Sequence, residues 1–343
     1  MTRLRRDVLV GALVWLIGAG AVGMPALGRE VKLAIHPAAM GAEGDALSLL
    51  PKPDVLIEGD AVPWYEKAAK AMPQQSRDKQ IREWLALPVA QLPIQQAEAV
   101  IQEHMDSLRA LVKATRCKQC NWPQWKPGET PMNLTAYRKL AFVVRLWARL
   151  EIARGGHEGA MLALQTGFGM TRHLTQAPNL VQALVGIATA EVIRAEADEF
   201  IQPENAPNLY WALAHLPKPF ADVEKAIETE KKAVAAQADE ALLKQLESQK
   251  EPAYERVRMI SRRLQSHIGV LQCAEAVRSY AAAHAGQLPE NLSDITGVSL
   301  PTDAVSGKPY VYRRTGATGA VLESAAPDGE EKAQIRYLIT VRN

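Results

Sequence analysis

The segment of residues 133–202 constrains the fold more strongly than any other part of the chain. Its apolar side chains recur every three or four residues, which is the spacing of buried helical faces, and the pattern is interrupted only at Gly155-Gly156 and at Pro178. Glycine readily adopts the left-handed conformation that ends a helix, and proline cannot continue one. The spacing therefore predicts three packed helices.

Short polar side chains mark the starts of two of these helices. Asn133 or Thr135 can cap the first helix and Asn179 the third, because a short side-chain oxygen accepts a hydrogen bond from the free amides of an opening turn. A bulky Trp147 late in the first helix and a small Ala160 early in the second are typical of a tetratricopeptide pair. Only one such pair is recognisable, so we predict a mainly α fold whose helical domain is either irregular or tetratricopeptide-like.

The first 28 residues carry the features of an export signal. Arg3, Arg5 and Arg6 precede an apolar run from Val8 to Leu27, as the charged and apolar regions of a signal peptide do. Small residues at Ala26 and Gly28 predict cleavage after Gly28, but the run is also about 20 residues long, enough to span a bilayer uncut. We therefore predict an extracytoplasmic protein, either released into the periplasm or anchored in the cytoplasmic membrane facing outward.

Composition divides the remaining chain into four segments. Residues 29–60 are rich in Gly, Pro and Ala without periodicity, which predicts a linker. Residues 61–220 form the predicted helical domain. Residues 221–252 are charged and alanine-rich, with Glu and Lys four residues apart, which predicts a connecting helix. Residues 253–343 predict a long helix after Pro252 and a small antiparallel β region. The strands of that region are predicted at Tyr310–Arg314, Ala320–Ser324 and Ile335–Val341. Further helices are predicted at Ala61–Met72, Arg77–Leu87, Pro93–Thr115 and Leu209–His215.

Cys117 and Cys120 form a C-x-x-C motif whose chemistry the sequence leaves open. A thioredoxin-like redox pair follows a strand within a βαβ unit, a pattern not recognisable here. Structural zinc needs four ligands, and no second cysteine pair occurs among the three cysteines. In an exported protein the motif favours a structural disulfide. Redox work, metal binding, free thiols and pairing with Cys273 are the alternatives.

No complete catalytic motif occurs in the sequence. His157-Glu158 begins a zincin-type motif, but Met161 occupies the place of the second histidine. The net charge of +2 gives no indication of a nucleic-acid binder. We therefore predict no catalytic or cofactor-binding residue and no nucleic-acid partner. An acidic series on one predicted helix lacks an E-x-x-H partner, which favours a solvated face; it comprises Glu191, Glu196, Asp198 and Glu199.

After the long predicted helix, the C-terminal segment contains several short motifs in order. They are Gln287-Leu288-Pro289-Glu290-Asn291-Leu292, Pro301-Thr302-Asp303, Ser306-Gly307-Lys308-Pro309-Tyr310-Val311-Tyr312, Ser324 and Pro327-Asp328-Gly329. In this order they resemble the C-terminal part of the major pseudopilins of type II secretion, over about residues 256–330. The resemblance implies a long helix followed by a small antiparallel β region.

The layout of most of the chain resembles a group of uncharacterised bacterial exported proteins with a helical middle and a pseudopilin-like tail. Three stretches carry this second resemblance: Ala61-Val62-Pro63-Trp64-Tyr65-Glu66-Lys67-Ala68, Cys120-Asn121-Trp122 and Leu184-Val185-Gly186-Ile187-Ala188. It implies a fold and an extracytoplasmic location, but no activity.

Some pseudopilins bind calcium through oxygen ligands in the C-terminal loop. The resemblance implies Asp303, Ser324 and Asp328 as candidate ligands, with calcium as the only cofactor it suggests. The chain departs from the family because Glu330-Glu331-Lys332 stand where a hard cation prefers further aspartates. No prepilin-type Gly-Phe-Thr-Leu-x-Glu stretch follows the N-terminal arginines either. The tail is therefore interpreted as a module joined to a different protein.

These features favour an exported, membrane-tethered scaffold without catalytic activity that binds other envelope proteins. Membrane attachment is expected through residues 8–27 where they are not removed. An envelope enzyme with a site assembled from distant residues is one alternative. An accessory structural part of a secretion or pilus-like system is another, and it depends on the tail alone.

Overall fold

The computed structural model describes residues 30–45, 47–123, 133–235, 240–324 and 334–342, with only the backbone for 45, 233–234 and 240–250. Across these residues the chain is mainly helical and contains a small sheet, as predicted. The ten helices are α1 Val62–Lys70, α2 Asp78–Ala86, α3 Ile94–Glu103, α4 Met105–Arg116, α5 Leu134–Ala153, α6 His157–Thr175, α7 Leu180–Phe200, α8 Tyr210–Ala214, α9 Glu224–Ala235 and α10 Glu240–Ala283. The six strands are β1 Glu30–Ile35, β2 Ile57–Asp60, β3 Cys117–Gln119, β4 Val311–Arg314, β5 Gly319–Glu323 and β6 Arg336–Val341.

Helices α5, α6 and α7 confirm the three helices predicted from the apolar spacing. The Asn133 side chain accepts a hydrogen bond from the amide of Ala136 at 3.1 Å, which caps α5. Asn179 accepts one from the amide of Gln182 at 2.7 Å, which caps α7. Gly155 has a φ of 71°, the left-handed conformation that ends α5.

Helix α7 lies at the centre of the helical part. It packs against α5, α6, α9 and α10, and 14 of its 21 residues are buried. Its approach to α6 depends on Gly167, where a Cβ would lie 2.6 Å from Cγ2 of Ile193. A helix that is enclosed in this way must bury whatever polar side chains it carries.

The helix predicted across Pro93–Thr115 is two helices, α3 and α4, that meet at His104. The ring Nδ1 of His104 donates to the carbonyl of Val100 at 2.8 Å. That carbonyl would otherwise accept from the His104 amide in a continuous α-helix. The amide bonds instead to Ile101 at 3.1 Å, and the helix turns at this residue.

Helix α10 continues through Pro252, so the boundary predicted at this proline was wrong. A proline inside a helix costs about 3 kcal/mol because it removes a hydrogen bond and crowds the preceding turn. Contacts with α9 hold the helix on both sides of it. Lys231 pairs with Glu251 at 2.8 Å, and Arg258 pairs with Glu224 at 2.8 Å.

The four-stranded sheet has the order β1-β6-β5-β4. Strands β4, β5 and β6 confirm the three strands predicted for the tail, and they pair antiparallel in sequence. Strand β1 joins the other side of β6 in parallel, with Glu30 opposite Arg336 and Ile35 opposite Val341.

The prediction of a linker across residues 29–60 was therefore wrong for β1. Leu33 and Ile35 alternate along this strand and are fully buried, because they face the same core as the tail. After the strand, the amide of Met40 donates to Ser279 Oγ on α10 at 3.1 Å. One continuous cluster of buried apolar side chains includes β1, the central helices, α10 and β6, so the predicted boundaries do not separate independent cores.

Strands β2 and β3 form a separate two-stranded parallel sheet that the sequence analysis did not predict. Ile57 pairs with Cys117 and Asp60 with Gln119. This sheet leads directly into α1, since the amide of Ala61 donates to Gln119 at 2.9 Å. It thereby places the two cysteines of the C-x-x-C motif beside α1.

Candidate functional site

In the acidic series on α7, Glu196 and Asp198 are buried, Glu191 is nearly buried and Glu199 is partly exposed, which corrects the prediction of a solvated face. The relative exposure is 0% for Glu196 and 5% for Asp198. Arg194, at 3% exposure, lies between Glu191 and Asp198 on one side of the helix, because residues three and four apart are neighbours on a helical surface. A carboxylate or guanidinium group in such surroundings is stable only when it is paired and hydrogen-bonded.

The guanidinium of Arg194 is the centre of the first cluster. It donates to Glu191 at 3.1 Å, to Asp198 at 2.7 Å and to the Tyr337 hydroxyl at 3.1 Å. Tyr337, on β6, donates its own hydroxyl proton to Asp198 at 2.6 Å. His267, on α10, donates to Glu191 at 2.6 Å. We call these five residues the Arg194 cluster; it joins α7, α10 and the sheet.

The pKa values of Glu191 and Tyr337 in the Arg194 cluster are shifted by burial and by their neighbours. Burial alone would raise the pKa of Glu191, but the charges and hydrogen bonds of His267 and Arg194 outweigh burial and lower that pKa to about 2. Burial and the neighbouring Asp198 hold the pKa of Tyr337 well above its usual value. Glu191 therefore stays ionised and Tyr337 keeps the proton that it shares with Asp198.

A second buried cluster surrounds Arg149 on α5. Its guanidinium pairs with Glu196 of α7 at 2.8 Å, and Glu196 also pairs with Arg145 at 2.7 Å. The same guanidinium donates to the carbonyls of Leu85 and Leu87 at 2.8 and 2.7 Å. The last carbonyls of a helix have no intrahelical donor and favour a cation, so Arg149 fixes the end of α2 against α5 and α7.

A third buried pair, Glu275 and Arg278, lies on α10. Arg278 donates to the carbonyl of His36 at 2.7 Å and to that of Pro207 at 3.3 Å. Glu275 accepts from the amide of Leu209 at 2.6 Å. Burial raises the pKa of Glu275, although Arg278 and the Leu209 amide oppose this shift. The pair fastens the segment after β1 and the segment before α8 to the long helix.

Four aromatic rings surround the start of the loop that follows β3. Tyr65 stacks on Trp122 with ring centroids 5.4 Å apart, and Tyr137 meets Tyr65 edge-on at 6.0 Å. The Tyr65 hydroxyl hydrogen-bonds to His173 Nδ1 at 2.8 Å. Trp122 donates to the His173 carbonyl at 2.6 Å. Burial, together with Arg172, lowers the pKa of His173 to about 4, so the ring is neutral at neutral pH.

The cysteines beside these rings are free thiols in the structure. Burial and the nearby Asp60 carboxylate raise the pKa of Cys117 and of Cys120, and a protonated thiol is a poor nucleophile and metal ligand. Strand β3 also extends the chain between them by about 3.3 Å per residue, whereas a disulfide needs Cα atoms about 4.4–6.8 Å apart. The Cys117–Cys120 disulfide is absent from this structure and stays a prediction for oxidising conditions, as does the pairing of Cys273.

The candidate calcium ligand Asp303 accepts hydrogen bonds from residues of its own turn. It is fully buried and accepts from the amide and hydroxyl of Ser306 at 3.2 and 2.7 Å, and from the amide of Val305 at 3.3 Å. The hydroxyl of Ser266 on α10 also donates to it. The carboxylate therefore organises the turn before β4 and fastens it to α10.

Ser324, the second candidate calcium ligand, lies at the end of β5. The Ser324 hydroxyl accepts from the amide of Ile335 at 3.0 Å, which pairs the end of β5 with the chain before β6. Asp328 lies outside the described residues. Within the described part of the chain, no group of three or more His, Cys, Asp or Glu side chains is arranged to hold a metal ion. Calcium binding stays a prediction.

Comparison with known protein families, with curated proteins and with solved structures found no match for this chain. Among the helices that the structure describes, none is long and apolar enough to cross a membrane. The apolar run of residues 8–27 lies outside the described ranges.

The three buried clusters hold the helices and the sheet in place. Each one joins segments that are distant in sequence, and each charged group described in them is held by ion pairs or hydrogen bonds. The sequence analysis missed Tyr337, His267 and Arg149 as members, because each comes from a different element. A signal was present in α7, whose apolar residues leave no polar face for Glu191 and Asp198 to occupy.

Proposed function

We propose that the protein is an exported, membrane-tethered scaffold without catalytic activity that binds other proteins of the envelope. The observation that carries this proposal is the burial of the acid–base side chains around Arg194 and Arg149, where they bind one another and lock helices to the sheet. Such clusters favour one rigid arrangement, which suits a protein that presents its surface to partners.

The tether of the proposal is the apolar run of residues 8–27, with an outward-facing body that begins at Glu30. Strand β1 supports this arrangement, because it starts two residues after the predicted cleavage position and is fixed in the sheet along its whole length. Because β1 is fixed in the sheet, the tether would hold the folded body close to the membrane. The alternative, cleavage after Gly28, gives a periplasmic protein with the same fold.

We place the partner-binding surface on the α9–α10 pair. Helix α10 has 44 residues and is therefore about 66 Å long. Among the described residues of α10, Ser261 is the first that forms a hydrogen bond with a segment other than α9; Gln265 and Ser266 form further ones. The earlier half of α10 packs against α9, and the pair exposes charged residues: Glu228 and Lys232 on α9 and Arg256 on α10. Charged surfaces of this kind steer association and determine specificity. We also propose that the α5–α6 pair is a tetratricopeptide-like element.

In vivo photocrosslinking tests the proposal. A photoreactive benzoylphenylalanine replaces Lys232 on α9 or, as a control, exposed Ala317 in the turn between β4 and β5. We expect a reproducible protein adduct from position 232 and a much weaker one from position 317. Affinity purification from solubilised envelope should recover the same protein. The absence of any reproducible partner in both experiments would contradict the proposal.

A second candidate function is an accessory part of a secretion or pilus-like system. It is favoured by the order of a long helix α10 followed by the strands β4 to β6, which is the order that the pseudopilin-like tail implies. The sheet also contains β1, which lies outside the segment of that resemblance. Co-assembly of the full chain with purified pseudopilins would support this function, and a protein that remains monomeric in their presence would oppose it.

A further inference from the structure

The short parallel pair of strands β2 and β3 holds the C-x-x-C motif in an extended form. Strand β3 begins at Cys117, which pairs with Ile57, and ends at Gln119. A strand advances about 3.3 Å per residue, so the Cα atoms of Cys117 and Gln119 are already about 6.6 Å apart before Cys120 is reached. A disulfide needs its two Cα atoms about 4.4–6.8 Å apart. The motif therefore has to leave the strand before its two thiols can be joined.

The pairing of β2 with β3 is confined to a few residues at the surface. The register shifts between Ile57 and Asp60, and Gly59 lies between them with a φ of 122°, a conformation that favours glycine. Ile57 is 40% exposed, and Glu58 and Lys118 are exposed as well. An isolated pair of short strands is marginally stable, and exposed backbone hydrogen bonds open at a low free energy. This pair therefore opens more readily than the buried helices.

The extended motif is also connected to the start of α1. The carbonyl of Gln119 accepts from the amide of Ala61 at 2.9 Å. One oxygen of the Asp60 carboxylate accepts from the amide of Val62 at 3.2 Å and from that of Asn121 at 3.0 Å. A turn across the motif would withdraw Gln119 from Ala61 and move Asn121 away from Asp60. The conformation of the motif and the start of α1 are therefore coupled.

We propose that the C-x-x-C motif is a redox-sensitive switch, in which closing a Cys117–Cys120 disulfide breaks the pairing of β3 with β2 and frees the start of α1. Reduction restores the strand. Because the strand competes with the disulfide, this bond should be easier to reduce than one formed in a turn that already exists, as labile and regulatory disulfides are. The inference does not depend on the partner-binding function proposed above.

The oxidant of the switch is a small-molecule or protein disulfide, and the reaction is thiol–disulfide exchange. The thiolate of the half-buried Cys120 attacks one sulfur of the oxidant, and the other sulfur leaves as a thiolate. The thiolate of Cys117 then attacks the Cys120 sulfur, which releases the first oxidant sulfur as a second thiolate. The two released thiolates take up the two protons that the cysteines lost. Burial and Asp60 raise the pKa of both cysteines, so the exchange should be slow and is measured at equilibrium.

Hydrogen exchange on the full chain tests the switch. The purified protein is equilibrated with reduced glutathione or with excess glutathione disulfide, and peptide mapping identifies the bond that forms. In the protein with the Cys117–Cys120 disulfide, we expect the segment of Ala61 to exchange about ten-fold faster or more, because its amide has lost a partner. Helix α3, Ile94–Glu103, should exchange equally in both states. Unchanged exchange at Ala61, or no Cys117–Cys120 disulfide at equilibrium, would overturn the proposal.

The matched control is Cys120→Ser, which nearly keeps the size of the half-buried side chain and cannot close the disulfide. We expect its segment of Ala61 to exchange equally in the two glutathione buffers and as slowly as in the reduced natural protein. Faster exchange of this variant in glutathione disulfide would show that a mixed disulfide, and not closure of the motif, opens the sheet. That result would also contradict the switch.

A second variant, Asp60→Ala, tests the competition between strand and disulfide. It leaves the amides of Val62 and Asn121 without their acceptor and so weakens the strand form. We expect the equilibrium constant for disulfide formation with glutathione to rise about five-fold or more, because the two conformations are linked. Asp54→Ala, at an exposed acid before β2, is the control and should leave the constant unchanged. The same constant in Asp60→Ala as in the natural protein would show that the disulfide does not compete with the strand.

Discussion

Helix α7 and the α9–α10 pair carry similar charge patterns in opposite surroundings. In both, acids and arginines lie three or four residues apart, as Glu191, Arg194 and Asp198 do in α7 and as Glu255 and Arg258 do in α10. Helix α7 is enclosed by four other helices, whereas the first half of α10 has α9 beside it. The comparison shows that packing, and not spacing, decides what an ion pair contributes to stability.

The energetic difference follows from desolvation. A buried ion pair that loses one member leaves a charge without water or partner, which costs about 3–5 kcal/mol. An exposed pair is solvated before and after the change and contributes about 0–1 kcal/mol. Four changes, in order of decreasing expected effect, test whether the two regions differ in this way.

The largest effect is expected from Arg194→Met. The change leaves Glu191 and Asp198 buried without their cation, so we expect the free energy of unfolding to fall by about 3–5 kcal/mol. Urea unfolding followed by circular dichroism measures this loss. A change below 1 kcal/mol would show that the Arg194 cluster does not hold the fold together.

Acid should weaken the Arg194 cluster through Glu191. The pKa of this carboxyl falls from 4.5 to about 2 on folding. Because the folded-state value is the lower one, the stabilisation is complete above pH 4.5 and is lost as the pH falls toward 2. A shift of this size corresponds to about 3 kcal/mol.

The matched variants for this titration are Glu191→Gln and Glu251→Gln. The stability difference between the natural protein and Glu191→Gln should be largest at pH 7 and should shrink between pH 4.5 and pH 2, as measured by urea unfolding. Glu251 pairs with Lys231 at the exposed surface, so its replacement should give a much smaller pH-dependent difference. Equal pH profiles for the two variants would contradict the assignment.

A smaller effect is expected from Tyr337→Phe. The change keeps the buried ring and removes the hydroxyl that bonds Asp198 and Arg194, and hydrogen bonds to charged groups contribute about 1.5–3 kcal/mol. Tyr312→Phe is the control, because its half-buried hydroxyl donates only to the carbonyl of Pro289 at 3.0 Å. Thermal unfolding should show the greater loss for Tyr337→Phe; the reverse order would be inconsistent with the Arg194 cluster.

The smallest effect is expected from Arg258→Met on α10. Arg258 bonds Glu224, Glu251 and Glu255, but these carboxylates are about half exposed, so we expect a loss of about 1 kcal/mol or less. Salt should reduce this difference further, because exposed charges are screened at about 8–10 Å near physiological ionic strength. A loss as large as that of Arg194→Met would remove the distinction between the two regions.

Local pattern was sufficient where the structure depends on neighbouring residues. The three central helices, the caps at Asn133 and Asn179 and strands β4 to β6 could all be predicted, because spacing and capping chemistry act within a few residues. The same patterns could not predict that α10 continues through Pro252, since the contacts that hold it come from α9.

Long-range pairing accounts for the features that the sequence did not predict. Strand β1 is stable only because β6, at the other end of the chain, supplies its hydrogen bonds. The Arg194 cluster likewise needs His267 from α10 and Tyr337 from β6, which no local spacing connects to α7. A usable signal was the absence of a polar face on α7, which implies that its charges are buried together with their partners.

The most direct test of the tethered scaffold is the intact mass and fractionation of the natively expressed protein. The account predicts a full-length species of 37.5 kDa in the membrane fraction, released by detergent and not by high salt. A species that begins at Arg29 in the soluble envelope fraction would contradict the tether.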